Sequence, residues 1–82
     1  MARLVKGENK NLIGENLKLI RRKLNVSQQH LSNKLKLYGV LVCRGSISRI
    51  EDRSRTVTDI ELFAIAEVLG VDPKELYSPS NT

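Results

Sequence analysis

The sequence predicts an all-α protein, a compact bundle of five short helices, on three observations. Apolar residues recur at spacings of three and four from Ile13 onward, the period of helices with one buried face. Cap residues punctuate those stretches: Ser27, Thr58 and Asp72 stand where helices should start, and Asn25, Gly39 and Gly70 where they should stop. No alternation of period two is sustained, and only Val40-Leu41-Val42 could lie extended.

The first helix is expected over 11–24, with Ile13, Leu17, Ile20 and Leu24 forming its apolar stripe. Lys18, Arg21, Arg22 and Lys23 enrich its last turns in positive charge, which suits the negative end of the helix dipole. Asn25 then tolerates the left-handed conformation that ends a helix. The second helix starts from Ser27 as N-cap, with Val26 and Leu31 placed as a hydrophobic staple, and stops at Leu37 or Tyr38 before Gly39. The third is short, 44–52. Only Ile47 and Ile50 point inward, while its other face carries Gly45, Ser48, Arg49 and Asp52, flanked by Arg44 and Ser46. So thin an anchor marks a helix placed for contact. The fourth opens with the capping box Thr58/Glu61 and closes at Gly70; its residues are apolar almost all round, which predicts a central, buried helix. The fifth has Asp72 as N-cap, Pro73 in the first position and Glu75 in the third, with Leu76 and Tyr77 placed to pack back. The organisation expected is one domain over 11–77, a loose N-terminal arm over 1–10 and a tail over 78–82.

A chain of 82 residues holds one domain, and 40% hydrophobic content is enough for a core. Its single cysteine, Cys43, excludes an internal disulfide, and a single histidine, His30, leaves no Cys/His cluster for a metal. The first ten residues lack the apolar stretch of a signal peptide, and the longest apolar run, 62–66, is far shorter than a membrane span. A cytoplasmic protein without membrane contact is expected. Net charge is +5, unevenly spread: residues 1–55 hold 13 of the 14 Lys/Arg against four carboxylates, a balance of +9, and residues 56–82 carry −4. A basic front and an acidic back suit a protein that docks one face on a polyanion. Only Tyr38, Phe63 and Tyr77 offer stacking platforms for single-stranded RNA. Enzymatic readings find no support: His30 falls in a first turn as a surface residue, Cys43 has no evident partner base, and no glycine-rich phosphate loop is present.

Three segments in order, Val26-Ser27-Gln28-Gln29, Ile47-Ser48-Arg49-Ile50-Glu51 and Ala66-Glu67-Val68-Leu69-Gly70-Val71, resemble the phage repressor and Cro family of helix-turn-helix regulators, the xenobiotic-response-element type in bacteria. The resemblance extends over 12–77. It implies a repressor-like DNA-binding domain whose third helix reads the major groove of double-stranded DNA. The chain would then be a transcriptional regulator, a repressor ahead of an activator, with no cofactor, metal or small-molecule site. By the same resemblance Arg44, Gly45, Ser46, Ser48 and Arg49 match the positions that face bases, arginine being able to bond guanine O6 and N7 together. Gln28, beside Ser27 at a helix N-terminus, matches a phosphate-binding glutamine. Arg53, Ser54 and Arg55 lie in the loop that follows the DNA backbone. Arg21 and Glu51 match a partly buried ion pair.

Two departures stand out. The segment 36–46 is about five residues longer than the commonest form, so either the second helix is extended or the turn is a real loop. Arg53 stands where many members carry glycine. Relatives bind inverted repeats as two-fold dimers, and a weak homodimer is expected through the fifth helix and tail, where Leu76, Tyr77 and Pro79 sit. The competing reading is a protein-interaction module, such as an antitoxin or anti-repressor, that keeps the fold.

Overall fold

A computed structural model describes residues 9–77, which form five helices and no strand: α1 (Gly14–Lys23), α2 (Gln28–Leu37), α3 (Arg44–Glu51), α4 (Asp59–Leu69) and α5 (Pro73–Tyr77). The tail expected over 78–82, with Pro79, and most of the arm lie outside the described residues. Helix α3 packs on α1 and α2, α4 on α2 and α5, and α5 closes against α1. Leu17, Leu31, Leu35, Ile47, Ile50, Ile65 and Leu76 meet in the centre and are fully buried. No helix among the described residues is long and apolar enough to cross a membrane.

The helix starts follow side-chain chemistry. Ser27 Oγ accepts from the His30 N–H, and Thr58 and Glu61 form a reciprocal capping box. Helix α1 begins three residues later than expected, because Asn11 acts as a cap from outside the helix: its Oδ1 accepts from the N–H groups of Ile13 and Gly14. The Lys10 N–H donates to the Arg53 carbonyl at 2.9 Å, so the chain is already docked at the end of what was expected to be a loose arm.

Four helices end the same way. After α1, α2, α3 and α4 a left-handed residue, Asn25, Gly39, Arg53 or Gly70, donates its N–H to the carbonyl three residues back. The next residue donates five back, the Schellman arrangement. Glycine supplies this conformation at two sites and asparagine at a third. Arg53 adopts it with φ 64° against the steric preference of a side chain. The end of α3 therefore keeps the shape glycine would give it, although the sequence departs from the family there.

Helix α2 stops at Leu37, so the lengthened segment is a true loop. Val40 and Val42 are buried and fasten it, while Leu41 between them is 81% exposed.

Three expectations need correction. Helix α4 is not buried all round: Ala64, Ile65, Ala66 and Leu69 face the core, but Ile60 and Phe63 are exposed. Its main helix neighbours are α2 and α5, and they leave that face uncovered. Leu24 is exposed as well, since Arg21, one turn after Leu17, takes the buried place on α1. Leu76 packs back as expected and is fully buried, so it offers nothing to a second copy, whereas Tyr77, expected to pack back with it, is half exposed.

Candidate nucleic-acid interface

Helix α3 shows the asymmetry that its sequence suggested. Ile47 and Ile50 are sealed in the core, and Arg44, Gly45, Ser48 and Arg49 are exposed on the other side. A Cβ built on Gly45 would meet nothing within 4 Å, so that end of the helix is open to close approach. Ser46 is different. Half-buried, its hydroxyl accepts from Arg49 Nη2 at 3.3 Å and from the Cys43 thiol at 3.5 Å, which steadies Arg49 on the exposed face. Hydrogen bonding from Ser54 holds the Asp52 carboxyl below its usual range, and the charge of Arg49 adds to this.

The N-terminus of α2 lies beside that face. Ser27, Gln28 and Arg44 border one shallow surface concavity together with Arg21 and Arg22. Backbone N–H groups at a helix start, flanked by arginines, make a setting for a phosphate oxygen. Arg22, which the sequence assigns only to the helix dipole, is exposed at the rim, where the short turn 24–27 brings the end of α1 beside the start of α2. The Gln28 amide donates to Glu51 Oε1 at 3.0 Å, and the second hydrogen of that NH2 group is a further donor.

Beneath the surface, Arg21 and Glu51 join α1 to the end of α3. Arg21 Nε donates to Glu51 Oε2 at 2.6 Å and Nη2 to Oε1 at 3.1 Å, while Nη1 donates to the Val26 carbonyl at 2.7 Å. Their side chains are 9% and 4% exposed. A second link was not legible in the sequence. Asn11 Nδ2 donates to the carbonyls of Ile50 and Arg55, so one buried amide caps α1 and fastens the end of α3 and the loop behind it. Gly14 lies against the same place, and a Cβ there would collide with the carbonyls of Ile50 and Glu51. Helix α3 is thus clamped at its C-terminal end, while Arg44 and Gly45 at its N-terminal end are exposed.

The helix-turn-helix family model matches residues 17–76, most of the chain. The chain belongs to this family, of the phage repressor and Cro type. It is a DNA-binding domain by that membership. No curated protein and no solved structure gives a match.

Within the helix-turn-helix, the loop after α3 divides into two parts. Ser54 is exposed and Arg53 partly so: Arg53 lies 3.6 Å from Glu15, with its stem over Gly14, and Ser54 bonds back to Asp52 and the Arg49 carbonyl. Arg55 points elsewhere. Its two terminal nitrogens donate to both oxygens of Glu61 at 3.0 and 2.9 Å, which ties the loop to the start of α4. The arginine expected on a phosphate already faces a carboxylate of its own fold.

That pairing has a pH signature. Hydrogen bonding by Arg55 holds the Glu61 carboxyl below the ordinary glutamate range, and the Thr58 backbone N–H adds to the effect. A carboxyl with a depressed folded-state pKa stabilises the fold above its unfolded pKa, and that stability is lost as pH falls through the folded value. Urea unfolding of the wild type and Glu61→Gln should therefore differ at neutral pH and converge in the acid range. A constant difference across that range would show that the ionised pair contributes nothing.

Proposed function

We propose that this domain is a transcriptional regulator that recognises double-stranded DNA by sequence, with α3 in the major groove. The observation that carries the reading is the face of α3: two buried isoleucines on one side, and Arg44, Gly45, Ser48 and Arg49 exposed on the other, on the basic half of the chain. Arg44 and Arg49 are the base readers, with Ser48 and Gly45 allowing close approach and Ser46 steadying Arg49. Ser27, Gln28 and Arg22 hold a phosphate at the start of α2, and Arg53 and Ser54 hold another beyond α3. The pairing with Glu61 supports a different role for Arg55, that of shaping the loop. Such a regulator acts where DNA is, in the cytoplasm, and represses by occupying its site.

One short helix spans too few base pairs to single out a site in a genome, which favours two copies on an inverted repeat, one helical turn apart. With Leu76 in the core, the contact between copies falls to Tyr77 and to Ile60 and Phe63, three residues apart on the exposed face of α4. Sedimentation with half and full repeats tests this: one protein per full repeat at saturation would remove the dimer.

The main test is selection of bound sequences from a random duplex pool at near-physiological salt. An inverted-repeat motif is expected, and an unenriched pool would sink the reading. On the selected duplex, Arg49→Ala should cost about 1–3 kcal/mol and relax preference at one base pair per half-site. Arg53→Gly should weaken every sequence alike and yet stabilise the fold by about 0.5–1 kcal/mol, since it relieves a left-handed side chain. If both variants weakened all sequences equally, the division between base and phosphate contacts would be wrong.

A further inference from the structure

The lengthened loop between α2 and α3 places an apolar side chain at the reading end of α3. In extended backbone, neighbouring side chains point to opposite sides. Val40 and Val42 are 9% and 2% exposed, so their burial turns Leu41 outward, 81% exposed. The loop is held at both ends: the Val40 N–H donates to the Leu35 carbonyl, and Cys43 is the N-cap of α3. Leu41 shares one surface concavity with Lys36, Arg44, Gly45 and Ser46. A leucine is therefore presented in a fixed position beside the residues that open the reading helix, with cations on either hand. The apolar feature that a major groove offers is the 5-methyl group of thymine. Lys36 suits a phosphate beside such a base, and Arg44 the base pair next to it.

We propose that Leu41 is a further specificity determinant, packing on the 5-methyl group of a thymine at the edge of each half-site, next to the base pair that faces Arg44. The inference rests on the reading that α3 docks in the major groove. Because the loop is already anchored, little ordering cost opposes the contact.

The test uses the full chain and the selected operator duplex, with each thymine in turn replaced by uracil, which removes the methyl group alone. The wild type should lose about 3–10-fold in affinity at one thymine per half-site, the scale of one or two buried carbons. Leu41→Ala should bind the unmodified operator weaker by a similar factor and be indifferent to uracil at that position, with unchanged urea stability. Equal uracil losses in both proteins at every thymine, or no uracil sensitivity in the wild type, would overturn the proposal while leaving duplex binding intact. Failure of the wild type to bind any duplex would overturn the major-groove reading and this proposal with it. A change in the sedimentation of the free protein on Leu41→Ala would place the leucine in a protein interface and overturn the proposal as well.

Discussion

Arg21→Met is expected to destabilise the domain by about 3–5 kcal/mol, a large share of the stability of a chain this small. The guanidinium makes two bonds to Glu51 and one to the Val26 carbonyl. Its removal strands a carboxylate with a 4% exposed side chain, left with the Gln28 amide as its remaining side-chain donor. The cost comes from the uncompensated charge more than from the lost attraction, so Glu51→Leu should be damaging for the mirror-image reason. The double variant Arg21→Met/Glu51→Leu removes both charges together, and its loss should fall short of the sum of the singles by about 2–3 kcal/mol. Urea unfolding of the four proteins gives the cycle directly, and additive losses would show that the two charges do not depend on each other. The double variant also separates stability from reading. It keeps a packed core but lacks the link that sets the angle of α3 on α1, so its affinity for the selected duplex should drop more than its stability does.

Gly14→Ala should be nearly as damaging, at about 3 kcal/mol or more, the upper end of what overpacking costs. Ordinarily the exchange would favour a helix, by about 0.8–1.0 kcal/mol over glycine. Here the added carbon meets the Ile50 carbonyl, the Glu51 carbonyl at 2.9 Å and the Arg53 stem at 2.8 Å. An arginine stem can swing aside, but the carbonyls cannot, because the Ile50 oxygen is held by Asn11 Nδ2 and by the Arg53 N–H. Relief requires α1 to lift from the end of α3, which would break the Asn11 bonds. Gly45→Ala is the control: it has open space around it and should keep or slightly raise stability. Should Gly14→Ala stabilise the protein as Gly45→Ala does, the close approach of α1 to α3 would be disproved.

Much of the fold is legible in the residues because the signals are local. A serine three residues before its bonded N–H, a Thr58/Glu61 box, and a glycine or asparagine after a helix each act within one turn of chain. The inward stripe of α3 is legible for the same reason, as the spacing of Ile47 and Ile50 decides its buried face. The order of the three motif segments indicated the family, and the match over 17–76 agrees.

Sequence alone determined, then, the number and order of the helices, the starts of α2, α4 and α5, the stops of α1, α2 and α4, and which face of α3 is exposed. Tertiary structure decided the rest. Asn11 reaches Arg55 across 44 residues, a link that no motif marks, whereas the Arg21–Glu51 pair across 30 was expected from the family resemblance alone. No local pattern shows that Gly14 must be small, that Arg55 turns to Glu61 instead of outward, or that Ile60 and Phe63 stay in water. The outward turn of Leu41 belongs to the same class, since it depends on the burial of both flanking valines. The reason is physical. Caps and periodicity act over one turn of backbone, whereas side-chain burial and pairing are settled by whichever distant segment arrives alongside.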